Sequence, residues 1–188
     1  MRTFLLVAVA AILGVLLVSQ WSYLSSLTQK QRIIATSAFP IVSENAPPFD
    51  LPTITGERVR LADYEGRPVL LYFWTTWCGI CKRELPILVD YSEGAEVPVS
   101  VISVCSGRSP EKAREIAAGL DVSFPVGYED DRLVVESYQP QEEGLRRQIT
   151  AFPFAVIIDA DGKVVYALAG RFGSVEGLLD TLDRLELR

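Results

Sequence analysis

The chain contains no histidine and has little cysteine, with three among its 188 residues. The absence of histidine excludes zinc sites built from Cys and His and every catalytic triad that uses a histidine base. Three cysteines cannot supply a four-thiolate metal site within one chain, and they are too few for a disulfide framework. Lysine and arginine are scattered and the net charge is −6, so no basic face indicates a nucleic-acid partner.

An uncharged apolar run stands at the N-terminus. It extends from Phe4 to Val18 without a charge and continues to Leu24. At 1.5 Å per residue, a helix over this segment would be roughly 31 Å long, about the thickness of one hydrocarbon core. Trp21 and Tyr23 then lie at the far interface, where aromatic rings are favoured. Residues 1–24 are therefore predicted to form a transmembrane signal-anchor.

The charges around this run indicate its orientation. Arg2 and the amino terminus are expected to stay in the cytoplasm, although Lys30 and Arg32 follow the span. The sequence thus predicts a single-pass protein of the inner (cytoplasmic) membrane whose domain faces the periplasm or its equivalent. A cleaved signal peptide is one alternative, although no A-x-A site closely follows the run. A buried core helix is another.

One folded domain follows the anchor. Residues 25–46 are predicted to be a linker, because they lack a sustained hydrophobic period and lead into two prolines. The domain spans residues 47–188, and its apolar run from Val69 to Trp74 is typical of a buried central strand. The other predicted elements are a hairpin around Thr55-Gly56, a helix from about Cys78 interrupted or kinked at Pro86, a strand over Val97–Val104, a helix capped by Ser109, two strands around Asp161-Gly162 and a final helix capped by Ser174. Strands that alternate with helices, closed by a hairpin, predict an α/β fold with a mainly parallel central sheet.

Cys78 and Cys81 stand between the central strand and the helix that follows it. A cysteine at a helix N-terminus lies beside unpaired backbone N–H groups, and the helix dipole stabilises its thiolate. Cys81 lies one turn further on, close enough to form a disulfide with Cys78. The pair can therefore exchange disulfides, with Cys78 attacking and the more buried Cys81 resolving the mixed disulfide. Half of a zinc site and a purely structural disulfide are the alternatives, although the other ligands that zinc needs are missing.

The stretch LLYFWTTWCGICKRELP, residues 70–86, resembles the active-site segment of the thioredoxin superfamily. It is most similar to membrane-anchored, exported members, the TlpA, ResA and CcmG group, with CGIC and LLYFW pointing to the copper-sensitivity suppressor protein ScsD. Residues 49–74 resemble the hairpin and strand before the motif, and residues 149–165 resemble the later segment that contains a cis-proline. The resemblance covers about Pro48 to the C-terminus. It implies a thioredoxin fold, with a central mixed sheet flanked by helices and an N-terminal hairpin extension.

The resemblance also implies roles for individual residues. Cys78 and Cys81 match the redox pair, and Trp77 matches the tryptophan that shields the thiols and shapes the docking surface. Pro153 matches the cis-proline that faces the disulfide, where the backbone edge can pair with an extended substrate strand. Phe152 stands where relatives often carry a small or β-branched residue, so its bulk is expected to narrow the choice of partner.

Three further positions concern proton transfer and substrate choice. Glu84 matches an acidic residue of the ResA-like proteins and is a candidate for proton transfer to a thiol, with a solvated helix glutamate as the alternative. Tyr72 replaces the buried aspartate of thioredoxin, so any proton-relay carboxylate must come from elsewhere. Phe154 replaces the glutamate that cytochrome c maturation thioredoxins carry after the cis-proline, which disfavours a specialised role on apocytochrome thiols.

Cys105 is the third cysteine. It shares one face of its predicted strand with Val99, Val101 and Ser103. A free cysteine in such a strand is often a small buried hydrophobic residue. The alternative is a third redox thiol, because the carboxyl ends of neighbouring strands gather at one edge of the sheet, near Cys78.

Together these features predict an exported thiol–disulfide oxidoreductase that reduces disulfides in periplasmic proteins and needs no bound cofactor or metal. Its predicted partners are exported disulfide-containing proteins and a membrane electron donor of the DsbD type. The same domain working in reverse would be a disulfide-forming oxidase. Thr75, at the T-x-x-C spacing of peroxiredoxins, leaves a thiol peroxidase open, and the two soft thiolates leave a copper(I)-handling or substrate-holding module open.

Overall fold

The computed structural model describes residues 45–94, 97–138 and 152–187. The predicted signal-anchor of residues 1–24 lies outside these ranges, as does nearly all of the predicted linker. Within the described ranges, no helix is long and apolar enough to cross a membrane.

The described residues form seven strands, four α-helices and one 3-10 helix. The strands are β1 Asp50–Pro52, β2 Arg58–Arg60, β3 Val69–Trp74, β4 Ser100–Ser106, β5 Val126–Glu129, β6 Phe154–Ile158 and β7 Val164–Ala169. The α-helices are α1 Gly79–Ser92, α2 Pro110–Gly119, α3 Leu133–Ser137 and α4 Val175–Arg184, and the 3-10 helix is Leu61–Tyr64.

Five strands form the central sheet, in the order β5-β4-β3-β6-β7. β3 pairs in parallel with β4 and antiparallel with β6. β4 and β5 are parallel, whereas β6 and β7 form an antiparallel hairpin. The sheet is therefore mixed, as the resemblance implied, because its last two strands return through a tight turn rather than through a crossover helix.

The central strand β3 is buried on both faces, which explains its continuous apolar sequence. Its side chains alternate between two hydrophobic clusters, since successive residues of a strand point to opposite faces. Leu70, Tyr72 and Trp74 join the cluster that also contains Cys78 and Cys81, while Val69, Leu71 and Phe73 join the other.

The antiparallel pair β1–β2 packs against the outer strand of the central sheet. Thr53 forms a β-bridge with Gly127 of β5, and the Ile54 N–H donates to the carbonyl of Val126 at 3.0 Å. A Cβ on Gly127 would lie 3.2 Å from a methyl group of Val59, so glycine permits this close approach. The pair thus covers an edge that would otherwise expose unpaired backbone groups.

Helix α1 runs continuously through Pro86, so the predicted interruption there is wrong, while the alternative of a kink stays a prediction. Proline removes one backbone hydrogen bond, but the helix is held by packing of its inner face. Leu85 and Leu88, on either side of the proline, are completely buried in the cluster around the two cysteines.

The other two long helices begin where the sequence predicted. The Ser109 hydroxyl accepts a hydrogen bond from the Lys112 N–H at the start of α2. The Ser174 hydroxyl accepts one from the Gly177 N–H at the start of α4. Both contacts satisfy backbone donors that the first turn of a helix leaves unpaired.

Candidate active site

Cys78 and Cys81 are joined by a disulfide at the N-terminus of α1, with their Cα atoms 5.3 Å apart. β3 ends at Trp74, and the Cys78 N–H donates to the carbonyl of Thr75 in the turn that follows. Cys78 is the N-cap residue of α1, and its sulfur accepts a hydrogen bond from the Cys81 N–H at 3.1 Å. The same backbone donor and the helix dipole would stabilise a thiolate on Cys78.

The two sulfurs differ in exposure. Cys78 is 6% exposed and Cys81 is completely buried. The adjacent side chains of Trp77 and Ile80 are exposed by 70% and 44% respectively, so an apolar surface surrounds the disulfide. This arrangement suits attack by Cys78 and resolution by Cys81.

Pro153 lies across the site from the disulfide. The Phe152–Pro153 peptide bond is cis, as the resemblance implied. β6 begins directly after it, and its pairing places Phe154 opposite Phe73 of β3. This register brings the carbonyl oxygen of Phe152 to 3.5 Å from the sulfur of Cys78.

The ring of Phe152 contacts two other side chains at the site. Trp77 meets it edge-on, with 6.1 Å between the ring centroids. The guanidinium of Arg132 lies over the same ring, 5.4 Å from its centroid. Sequence analysis missed Arg132, because nothing local in the sequence shows that the residue before a short helix reaches a ring twenty positions away.

Glu84 is buried, with 1% of its surface exposed. One of its carboxylate oxygens accepts hydrogen bonds from the backbone N–H groups of Phe172 and Gly173, the latter at 3.2 Å. The alternative of a solvated helix glutamate is therefore wrong. These contacts tie the loop before α4 to the active-site helix, and the role of Glu84 in proton transfer stays a prediction.

Tyr72 lies beneath the site, with its hydroxyl 3.5 Å from the carbonyl oxygen of Cys81. Burial, and secondly the negative charge of Glu84, raise the pKa of Tyr72 far above its ordinary value. The tyrosine therefore stays protonated at physiological pH and does not replace the carboxylate of thioredoxin as a base.

Thr75 is 2% exposed. Its hydroxyl has no hydrogen-bond partner among the residues that the structure describes. A buried unpaired hydroxyl lowers the stability of the folded state, so Thr75 is expected to destabilise the protein next to the disulfide.

Cys105 is completely buried on β4, opposite Trp74 of β3 and Tyr128 of β5. Burial, followed by the negative charge of Glu129, raises the pKa of the Cys105 thiol to about 12. Very little thiolate is thus present near neutral pH, which fits a small buried side chain better than a nucleophile. Its function as a third redox thiol stays a prediction.

The described part of the chain contains no group of three or more His, Cys, Asp or Glu side chains placed to hold a metal ion. What its residues do bring together is a disulfide, a helix N-terminus and an exposed apolar rim. That arrangement can form a mixed disulfide with another thiol and then release it.

Residues 42–167 match the AhpC/TSA family. Among individual proteins, the chain is 32% identical over 127 residues to the thiol-disulfide oxidoreductase ResA of Bacillus subtilis, which is 67% of this chain and 66% of that protein. The chain thus spans just under two thirds of the length of this relative.

Two solved structures resemble the fold. The thiol:disulfide interchange protein DsbE from Chlorobium tepidum has a TM-score of 0.66 at 24% identity, with 80% of this chain and 100% of that chain covered. The exposed lipoprotein thioredoxin of Streptococcus pneumoniae has a TM-score of 0.60 at 30% identity, with 73% and 99% covered.

Proposed function

Because the chain belongs to the AhpC/TSA family and, within the thioredoxin-like proteins, to the thiol–disulfide oxidoreductases of the ResA and CcmG group, we propose that it reduces disulfides in exported proteins. The observation that carries this proposal is the Cys78–Cys81 disulfide at the N-terminus of α1, with the cis Phe152–Pro153 bond beside it. These residues supply a nucleophile, a resolving thiol and a backbone edge for the substrate.

The proposed reaction begins with the reduced pair. The thiolate of Cys78 attacks one sulfur of a substrate disulfide, which forms a mixed disulfide and releases the other substrate sulfur as a thiolate. The thiolate of Cys81 then attacks the sulfur of Cys78 and releases the second substrate thiolate. Two electrons pass to the substrate, its two thiolates take up protons, and the protein is left with the disulfide seen in the structure.

Each new turnover needs a reductant. We infer a membrane donor of the DsbD type, which would return two electrons to Cys78 and Cys81 through the same exchange in reverse. The reductive direction is favoured because the two residues between the cysteines, Gly79 and Ile80, include no histidine that would strongly stabilise the thiolate. A strongly stabilised thiolate is what makes such a pair oxidising.

The proposed location is the outer side of the cytoplasmic membrane, with residues 4–24 as the anchor. Its support is the uncharged apolar run, long enough to span the hydrocarbon core. The pneumococcal relative is described as an exposed lipoprotein, which agrees with this proposal. Protease treatment of spheroplasts should digest the domain of the membrane-bound protein, whereas protection of the domain would contradict this orientation.

A trapping experiment tests the activity. The Cys81→Ser variant should form a stable mixed disulfide with insulin, because the resolving thiol is missing. The Cys78→Ser variant is the matched control and should trap nothing. If neither variant forms an adduct and the wild-type protein does not reduce insulin with dithiothreitol, the proposed function fails.

The same preparation separates the alternatives. Net formation of disulfides in reduced substrates would support an oxidase. Consumption of peroxide would support a thiol peroxidase that uses Thr75 beside Cys78. Retained copper(I) without exchange activity would support a metal-handling module.

A further inference from the structure

A buried carboxylate that the proposed reaction does not use lies behind the active site. Glu129, at the end of β5, is 4% exposed. It accepts hydrogen bonds from the Ser106 hydroxyl at 2.6 Å and from the N–H groups of Val134 and Val135 at 2.8 and 3.3 Å. Glu129 therefore anchors the first turn of α3 to the carboxyl ends of β4 and β5.

This anchor fixes the residue immediately before α3. Arg132 has a φ of 65°, in the left-handed region that non-glycine residues rarely adopt. The side chain of Asp131 accepts from the Leu133 N–H at 3.2 Å, which adds a second contact on the other side of Arg132. A strained conformation persists only where its surroundings determine it, and here the arginine side chain lies over the ring of Phe152.

The guanidinium of Arg132 then meets the ring of Phe152, whose own carbonyl touches the sulfur of Cys78. Trp77 contacts the same ring from its edge. The ring thus belongs to the residue whose carbonyl touches the attacking sulfur, and it contacts both a cation and the side chain of Trp77, the residue before Cys78. Cation–π and edge-to-face contacts both favour this one position of the ring.

We propose that Arg132 is a positioning residue that determines specificity: it holds the Phe152 ring against Trp77, the neighbour of Cys78, so that the site favours disulfides within a polypeptide over small free disulfides. This inference rests on the proposed function and concerns which disulfides reach Cys78.

The selectivity follows from the exposure of the site. Cys78 is only 6% exposed, and a disulfide must approach its sulfur along the line of the bond that breaks. A fixed ring hinders a small disulfide, whereas a polypeptide offsets this hindrance by apolar contact with the fixed ring and with the exposed side chains of Trp77 and Ile80. A ring that is free to move hinders the small disulfide less, but it also loses its contact with the polypeptide.

The test measures the rate at which the reduced full-length protein, in detergent, reacts with two disulfides. Hydroxyethyl disulfide is the small probe, and it is neutral, so the charge of Arg132 neither attracts nor repels it. Insulin is the polypeptide probe. The variants are Arg132→Ala, Arg132→Lys, Phe152→Ala and the double variant.

Arg67→Ala is the matched control. Arg67 also lies over an aromatic ring, 5.0 Å from the centroid of Tyr64, but at the opposite end of β3. Six residues of strand separate it from the site, a distance of about 20 Å. The control therefore removes the same kind of contact without reaching the disulfide.

Arg132→Ala should raise the rate with hydroxyethyl disulfide about two- to fivefold, the factor that a cation–π contact near the surface contributes. Its rate with insulin should not rise. Arg132→Lys should show a smaller change, because lysine keeps the cation. In the Phe152→Ala background, loss of Arg132 should not change the ratio of the two rates further, since that ratio depends on the position of the ring.

Three results would overturn the inference. The first is that Arg132→Ala leaves the ratio of the two rates unchanged. The second is that Arg67→Ala changes this ratio as much as Arg132→Ala does. The third is that Arg132→Ala still changes the ratio when the Phe152 ring is absent. Failure of the proposed function looks different, because the wild-type protein would then react with neither disulfide.

Discussion

Replacing Glu84 tests whether the buried carboxylate holds the active-site helix and the loop before α4 together. In the folded protein, one oxygen accepts from the N–H groups of Phe172 and Gly173. In Glu84→Ala both donors lose this acceptor, whose side chain is 1% exposed. Gly173 is exposed, so water can replace the acceptor there, whereas the N–H of the half-buried Phe172 is left unpaired at a cost of about 1–3 kcal/mol.

Relief of the desolvated carboxylate and relaxation of the loop offset part of this cost. We expect Glu84→Ala to lower the free energy of unfolding by about 1–3 kcal/mol. Glu84→Gln keeps an oxygen acceptor of similar shape but loses the charge, so it should cost less, about 1 kcal/mol.

The assay is urea denaturation of the domain from Ala46 onwards, followed by far-UV circular dichroism and by tryptophan fluorescence. Glu115→Ala, on the exposed face of α2, is the control, because the ion pair of Glu115 with Lys112 is exposed and should contribute less than about 1 kcal/mol. Stability of Glu84→Ala within about 0.5 kcal/mol of the wild type would contradict this role of Glu84, because the Phe172 N–H would then lose its acceptor at almost no cost.

Thr75 and its control Thr181 should respond to substitution by valine with opposite signs. Thr75→Val should stabilise the oxidised protein by about 1 kcal/mol in the same denaturation assay, because it removes a buried unpaired hydroxyl. Thr181→Val loses the hydrogen bond to Gly177 and should destabilise the protein, and equal effects of the two substitutions would contradict this prediction. For Cys105, the folded pKa of about 12 lies above the unfolded value of 9.0, so its contribution is present below pH 9 and is lost as the pH rises towards 12. The stability of the wild type relative to Cys105→Ala should therefore fall by about 1.4 kcal/mol between pH 8 and pH 10, and a pH-independent difference would show that the thiol is not buried as described.

The parts of the fold that sequence analysis predicted depend on local signals. A few neighbouring residues determine each of these features, namely the serine caps of α2 and α4, the Asp161-Gly162 turn and the apolar run of β3. Cys78 at the start of α1 follows from the same local pattern, since a buried strand and a helix flank it.

Other contacts depend on partners distant in the sequence, and the sequence alone did not reveal those partners. Glu129 accepts hydrogen bonds from Ser106 and from the first turn of the short helix α3, and Arg132, the residue before α3, contacts Phe152. An isolated five-residue helix would not be stable, so the contacts that hold α3 cannot be predicted from its local sequence.

Glu84 was misjudged for a different reason. Its neighbours Lys82 and Arg83 are charged, which favoured the solvated alternative. Helical spacing nevertheless places Glu84 on the same face as the buried residues Cys81, Leu85 and Leu88, so periodicity alone could have identified it.

The reduction potential of the Cys78–Cys81 pair tests the central claim most directly. It is measured on the domain from Ala46, with Cys105 changed to Ser so that only the pair titrates, by equilibration with glutathione. If the pair serves a reductase that needs a supply of electrons, its reduction potential should lie near or below the roughly −270 mV of thioredoxin. A value near the roughly −120 mV of DsbA would contradict the reductive direction, and failure to form a disulfide at any ratio of oxidised to reduced glutathione would contradict the activity itself.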